Sequence, residues 1–490
     1  MRAFRGLKTD PQPHYDAIVI GAGIGGLICA NLLARAGLRV LLVEQHYMVG
    51  GYCSTFRRKG FTFDAATHFY PLLGNPMTIT GAVLDQIGST TKWIKMDPVD
   101  HFHFPDKSSF SVPADFDEYL TKLKAAFPLD VDAIDRFFHD SRDAYLHGLL
   151  YYFRGRKSPE FERVRHRTLH QALDWYFHEP KLKLLLSADC AHWGSPPSRT
   201  SFVFDSMLRF SYFLGNYYPQ GGSQTFADDL ARLLEERGGD ILMHSRVTRI
   251  VVEREAAAGI EVETGLGRYR RTVRVHAPHV VSNADLVLTL EQMLGPDLVG
   301  DDEIARVKRL RPSFPCFLTH IGLRDFPLEP LVDASGYHWR SWDPDRVADD
   351  AFKIFVPTMY EPRMAPAGGQ IVILQHIQEF DYDAVADWMA HKQEVQDDLM
   401  DRLKAAVPGI GPHIVTCQSA SALTAWRFTL NYKGAMLGWE MSPEQLGDDR
   451  PGIEGPVKNL YLVGHWTRPG GGITPVIVSA VQAARAISGS

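Results

Sequence analysis

The segment "YDAIVIGAGIGGLICANLLARAGLRVLLVEQ", residues 15–45, constrains the fold more than any other part of the chain. Ala17 to Ile20 is a short apolar run, and Gly21, Gly23 and Gly26 then spell G-x-G-x-x-G. A helical pattern follows to Ala36, with Gly37 as its C-terminal stop. A second apolar run, Leu38 to Val43, ends in Glu44. Strand, glycine turn, helix, strand and acid in that order make a βαβ dinucleotide-binding unit. The first glycine permits the tight turn, the second lets backbone approach a pyrophosphate, and the third lets helix pack on strand. Glu44 is positioned to accept hydrogen bonds from ribose hydroxyls. The motif by itself does not choose between NAD and FAD.

A glycine pair, Gly50-Gly51, opens "GGYCSTFRRKGFTFDAATHFY" soon after the acid and suggests further close backbone contact with the same cofactor. Arg57 and Arg58 read either as positive charge for a pyrophosphate or as the basic turn of a solvated hairpin. No second G-x-G-x-x-G and no CxxC occurs, so the signs of a two-nucleotide disulfide reductase are missing. The five cysteines (Cys29, Cys53, Cys190, Cys316, Cys417) are scattered and read as reduced thiols of a cytosolic protein, with no metal site expected. A net charge of −6 gives nucleic acid no role. The opening "MRAFRGLKTDPQPHYD" lacks the apolar core of a secretory signal, and no run is long enough to span a bilayer.

Near the other end, in "NLYLVGHWTRPGGGITPVIVSAVQAARAI", an apolar run stops at Gly464. Gly470 to Gly472 follow, and a helix is predicted from about Thr474. Between the two glycine regions the texture changes. Residues 96–219 carry helical patterns dense in aromatics, from Phe137 and Phe138 to Tyr151 and Tyr152, bordered by Arg154, Arg156 and Lys157. Such a helix either lies on a membrane or packs on its own domain. The stretch 201–222 either lines a long apolar pocket or is core. A helix over Phe226–Leu234 and strands at Asp240–Met243 and Val247–Val252 return the chain to an α/β texture, with further strands and a helix near 384–406. The expected layout is interleaved: first segment 1–95 and later segments 220–300 and 421–490 for a nucleotide domain, 96–219 and 301–420 for a second domain.

Several segments together are similar to one family. "VIGAGIGGL", "VGGYCSTFRRKGFTFD", "YYPQGGSQTFADDLARLLEERGGDI", "VVSNAD", "APAGGQIVIL" and "NLYLVGHWTRPGGGITPV" run in its order across nearly the whole chain. The chain resembles the FAD-dependent phytoene desaturase, carotenoid isomerase and retinol saturase group of the flavin amine-oxidase-like superfamily. The resemblance implies an α/β, Rossmann-like FAD-binding domain with an interleaved α+β substrate domain. It implies a long apolar polyene or isoprenoid substrate and a cytoplasmic, peripherally membrane-associated enzyme. Gly21, Gly23, Gly26 and Glu44 would hold the ADP half of FAD. Gly50, Gly51 and Arg58 would lie along its middle, and Gly464 with the Gly470–Gly472 turn would meet the ribityl chain and ring. Gly25, Val247, His465, Gly471, Gly472 and Ile473 complete the expected cofactor contacts. Two departures stand out. His465 occupies a position where many relatives carry an acid, and "GGGITPV" replaces "GGGIPG".

The implied activity is carotenoid desaturation or cis–trans isomerisation. A retinol-saturase-like reductase, an amine-oxidase-like flavoenzyme and a non-catalytic isoprenoid-binding escort are the alternatives. An escort predicts a decayed fingerprint, whereas here the glycines and Glu44 are intact. Because the cofactor carries the difficult chemistry, no catalytic dyad is demanded. Candidates near the reacting bond are His68, Tyr70, Trp426, Arg427 and His465, each also readable as structure. His320 in "FLTHIGL" and the aromatics Tyr432 and Trp439 read most simply as core, the latter two also as channel wall.

Overall fold

The computed structural model describes residues 6–7, 10–265, 267 and 270–489; the opening stretch read above for a secretory signal falls partly outside them. A parallel sheet of five strands forms one half of the molecule, in the order Asp240–Leu242, Val40–Val43, Ala17–Ile20, His279–Ser282, Leu460–Leu462. Its strands come from three distant stretches of chain. "AIVI" and "VLLV" are apolar throughout because both faces of such a sheet are covered. Val19 and Leu42 point to a layer with the helices Ile24–Arg35, Ser223–Glu236 and Ile473–Ser488. Ile18 and Leu41 point the other way, into a core shared with the antiparallel strands Arg246–Glu253, Ala256–Thr264 and Arg271–His276.

The second half is built on a seven-stranded mixed sheet drawn from residues 100–112 and 316–420. Its central strands, Cys316–Arg324, Gly369–Ile377 and Ala351–Phe355, pair antiparallel. One face packs on the helix Trp388–Ala406 through Leu399 and Leu403. Against the opposite side lies an aromatic-rich helical layer that includes Val131–Arg154 and Phe202–Phe213.

The aromatic helix expected over 132–156 is therefore chiefly a core helix. Phe137, Phe138 and Tyr151 are buried, while Leu146 and Leu150, at 46% and 39% exposed, remain on its outer side. The expected strands at 240–243 and 247–252 appear as Asp240–Leu242 and Arg246–Glu253, and the expected helix near 384 begins at Trp388. Among the described residues no helix is long and apolar enough to cross a membrane.

Candidate functional site

A cavity of about 900 Å³ runs between the two halves, from the first glycine turn to the aromatic helices. At one end, the chain leaves Ile20 into Gly21 at φ +91°, a region that side-chain-bearing residues rarely adopt. The helix that follows begins at Ile24 with no side chain capping its N–H groups. A Cβ on Gly26 would lie 2.0 Å from the Gly21 carbonyl oxygen, so only glycine lets the helix come this close. Gly50, at φ +112°, donates its N–H to the Ala22 carbonyl at 2.8 Å, which locks the second glycine turn on the first. Arg246 and Val247 line the cavity near this end.

Glu44 ends the second strand with its carboxylate over the same turn. Its Oε2 accepts from the Ala22 N–H and its Oε1 from the His46 N–H, both at 2.8 Å. Burial raises the carboxyl pKa, opposed by the N–H groups of His46, Ala22 and Gln45. A carboxylate offers about four acceptor positions, so about one remains for a ribose hydroxyl beside the three N–H groups.

The C-terminal glycines meet the first ones in space. Gly464, at φ +103°, follows the edge strand, and its N–H donates to Ser479 Oγ at 3.1 Å. Asn283 sits between the turns. Its Nδ2 donates to Gly21 O at 3.3 Å, and Cβ atoms on Gly25 and Gly464 would lie 2.5 and 3.1 Å from its Oδ1. A Cβ on Gly471 would lie 2.1 Å from the Leu437 carbonyl oxygen. Gly472 precedes the helix Ile473–Ser488, which also starts without a side-chain cap. Thr474 Oγ1 donates to Pro71 O at 3.3 Å and ties this helix start to the segment containing His68. Two uncapped helix starts, each the positive end of a helix dipole, thus open on one cavity and suit a ligand bearing negative charge. With Glu44 and the glycine cradles, the residues present fit a dinucleotide.

His465 lines the cavity beyond Gly464. Its Nε2 is 3.2 Å from Asn431 Oδ1, an oxygen that also accepts from Trp466 Nε1 at 3.3 Å. Nε2 is therefore assigned the hydrogen, which leaves Nδ1 as an acceptor. Burial, aided by the Arg450 charge, lowers its pKa to about 3, so the ring is neutral at ordinary pH. Arg450 is itself buried and hydrogen-bonds the Trp439 and His465 carbonyls at 2.7 and 3.3 Å.

At the far end a polar cluster interrupts apolar walls. His68 is 4% exposed and lines the cavity. Its Nδ1 is 3.1 Å from the Ala66 carbonyl oxygen and carries the hydrogen, so Nε2 is the acceptor, and the Gln375 side chain hydrogen-bonds the same ring. Burial, with the Lys353 charge, brings its pKa to about 3. Lys353 Nζ is 2.6 Å from Asp100 Oδ2 and 3.3 Å from His192 Nε2. An ammonium only donates, so His192 accepts at Nε2 and presents Nδ1–H to the Tyr212 hydroxyl at 3.2 Å. Burial and Lys353 hold His192 far below the usual histidine pKa.

Not every candidate reaches this cavity. Gly21, Gly23, Gly25, Glu44, Gly50, Gly51, Val247, Gly464, His465, Gly471, Gly472, Ile473 and His68 line it, and Gly26 packs behind them. Tyr70 does not. It is fully buried against Trp93 and Phe226, in the core of the parallel-sheet half. Trp426 and Arg427 lie on the outer side of the helix Ala422–Thr429, where Trp426 is 43% exposed, so they do not wall the cavity. Thr424, Ala425 and Phe428 of that helix do. Arg58 stands exposed on the hairpin Thr55–Asp64 at the cavity edge, its Nη1 bonded to the Arg57 carbonyl, so the solvated-hairpin reading describes its setting. Trp439 is core. His320 is buried with Nε2 2.9 Å from the Asp64 carbonyl oxygen, although it also borders the cavity. Sequence reasoning missed His192, Lys353, Asp100 and Gln375. The usable signal was Lys353, a lysine inside the wholly apolar strand "AFKIF".

The chain was compared with known proteins. It is 27% identical to prolycopene isomerase 1, chloroplastic, of an Oncidium hybrid cultivar, over 98% of this chain and 85% of that one. It is 26% identical to a lycopene-forming phytoene desaturase of Pseudescherichia vulneris, over 94% and 97%. The crystal structure of an oxidoreductase from Methanosarcina mazei superimposes with a TM-score of 0.64 at 20% identity, covering 95% of this chain and 99% of that one, which establishes the fold. The model of the flavin containing amine oxidoreductases matches residues 24–488, and the dinucleotide that the glycine cradles fit is FAD. The chain belongs to the flavin containing amine oxidoreductase family and is an FAD-dependent enzyme.

Proposed function

We propose that this flavoenzyme acts on a long apolar polyene, as a carotenoid desaturase or cis–trans isomerase. The observation that carries this reading is the cavity's continuity. It reaches from the fingerprint glycines to Tyr145, Leu149, Phe204, Met207 and Leu208 of the aromatic helices, so apolar walls continue from the dinucleotide cradle, as an extended apolar substrate requires. The named activities of the isomerase and the desaturase described above support the same reading. A small polar amine has no use for such an apolar reach.

In this reading the uncapped N–H groups after Gly23 receive the pyrophosphate and Glu44 receives the ribose. Gly464 and the Gly471–Ile473 turn border the ring end, and the neutral His465 offers Nδ1 to a ribityl hydroxyl. When bound, FAD supplies the centre that accepts or returns a hydride. The chain's own residues align the polyene, exclude water and keep charge away from the reacting bond. Access follows from the rim. Met77, Ile79 and Leu214, at 91%, 49% and 44% exposed, line the cavity mouth. Leu146 and Leu150 stand beside Tyr145 and Leu149 on the same helix. Peripheral docking of this rim on a membrane would let an apolar substrate pass from lipid to cavity without crossing water.

The test is incubation of FAD-loaded protein with cis and all-trans polyenes in vesicles, with and without oxygen, followed by product chromatography. A changed double-bond count identifies desaturation, and a changed geometry alone identifies isomerisation. If no polyene changes under either condition, the reading is wrong.

A further inference from the structure

Two of the buried guanidinium groups are kept in different company. Arg209 pairs with the Asp205 carboxylate at 2.8 Å. Arg450, only 1% exposed, has carbonyls and a thioether instead. Its Nη2 donates to the Trp439 and His465 oxygens at 2.7 and 3.3 Å, its Nη1 to Met441 Sδ at 3.1 Å, and its Nε–H has no acceptor. Nearby carboxylates are held by other arginines. Glu440 pairs with Arg199 and Arg311 at 2.7 and 3.0 Å, and Asp448 with Arg468 at 3.0 Å. Burial lowers the Arg450 pKa to about 9, opposed only by Tyr152, so the group is charged at neutral pH. A cation buried without an anion is costly, and the cost calls for a reason.

Its position supplies one. The guanidinium stands one layer behind the cavity wall. Met441 and His465, which it touches, both line the cavity. A Cβ on Gly470 would lie 3.4 Å from its Nη1, so it backs the Gly470–Gly472 turn as well. The uncapped start of the helix Ile473–Ser488 opens on the same place. Its charge is felt at the wall, where it lowers the pKa of the His465 ring. Asp285, a carboxyl group lining the cavity, is already met by the N–H groups of Leu288 and Tyr432 at 2.8 and 2.7 Å. A hydride carries two electrons and one proton. A flavin ring that takes one from substrate therefore gains a unit of negative charge unless a second proton follows. A buried cation and the positive end of a helix favour that charge.

We infer that Arg450 is a tuning residue, whose unpaired charge behind the Gly464 and Gly470–Gly472 turns keeps the reduced cofactor anionic and makes it a stronger hydride acceptor. Arg450 touches neither ring nor substrate and acts through its charge. The inference rests on the ring end lying at these turns, as proposed above, and not on the identity of the substrate.

The experiment measures the midpoint potential of FAD-loaded protein against reference dyes, without oxygen, from about pH 6 to 8. One proton taken up with two electrons gives a fall of about 30 mV per pH unit, and two protons give about 60 mV. The wild type is expected to show the shallower slope. Arg450→Gln keeps a donor for the Trp439 or His465 carbonyl and removes the charge. Its potential at about pH 7 is expected to lie at least about 30 mV lower, a tenfold loss in the equilibrium for reduction, with a steeper slope. Arg450→Lys at about pH 6 restores the cation and is expected to stay near the wild type. A purely structural arginine would leave potential and slope unmoved. The wild-type slope needs no variant, so the test stands even if a substitution unfolds the protein. A wild-type slope of about 60 mV per pH unit would overturn the inference. So would an unchanged potential in FAD-bound Arg450→Gln, and His465→Ala then separates the causes. Weakened FAD binding in His465→Ala would leave the ring end where it is placed and reject Arg450 alone, whereas unchanged binding would reject the placement too. No polyene enters the measurement, so the substrate reading is tested separately.

Discussion

The two ends of the cavity solve opposite problems. At the nucleotide end the backbone does the work, with glycines removing side chains so that N–H groups and helix starts reach the ligand. At the polyene end side chains do the work, with aromatic walls around a few buried polar atoms fixed by Lys353 and Asp100. A site made of backbone is above all intolerant of added atoms. A site made of buried charge is above all intolerant of losing one partner of a pair.

The largest expected effect tests that contrast directly. Lys353→Met leaves Asp100 buried without its partner, and the uncompensated carboxylate is expected to cost about 3–5 kcal/mol. Thermal or denaturant unfolding measures it, and a shift under about 1 kcal/mol would erase the distinction between the two ends. Next comes Glu44→Gln, which keeps shape but removes the charge that accepts from Ala22 and His46 and that faces the ribose. FAD affinity is expected to fall about tenfold to a hundredfold, by the roughly 1.5–3 kcal/mol of a charged hydrogen bond, with the fold retained. Flavin fluorescence after dilution reads this.

Acid should act on buried histidines in both halves. His320, His338 and His376 in the large sheet are held down to about 4 by burial. An unfolded chain binds protons on them near pH 6.5 while the folded chain does not, so stability falls as pH drops from about 6.5 towards about 4. Each contributes up to about 1.4 kcal/mol per pH unit in that window. Glu44, raised by burial, has the opposite sign and favours the folded state as pH falls. Denaturant unfolding at about pH 6.5, 5.5 and 4.5 measures the fall in stability, and a stability that stays constant or rises over that range would contradict it. The smallest effect concerns the rim. Met77→Ser with Leu214→Ser removes roughly 1–2 kcal/mol of apolar burial on a vesicle, about tenfold in partitioning, without touching FAD content.

The contrast also explains what could be read in the chain before folding. The nucleotide end is written in consecutive residues, because G-x-G-x-x-G, Glu44 and Gly50-Gly51 each act through their own short stretch. The C-terminal glycines were legible as a turn before a helix. The polyene end was not legible. His68, His192, Lys353 and Gln375 lie on four separate stretches with no spacing rule between them, and only sheet register and helix packing bring them together. Tyr70, Trp426 and Arg427 misled for the same reason, since proximity in sequence to a cofactor segment does not say which way a side chain turns. The aromatic run of Val131–Arg154 was balanced between core and membrane, and the folded helix divides it, with Phe137 inside and Leu146 outside.

Asn283 carries one more consequence. Its amide spans the Gly21 and Gly464 turns, and the parallel sheet ends on the strand Leu460–Leu462. A ribosome delivers the fingerprint more than four hundred residues before its counterpart. The cofactor therefore cannot be enclosed until that counterpart has been made. A transcript cut short before Gly464 yields a protein with an intact fingerprint and an open ring site, and yellow colour then reports translation carried past Gly464 and through the helix Ile473–Ser488.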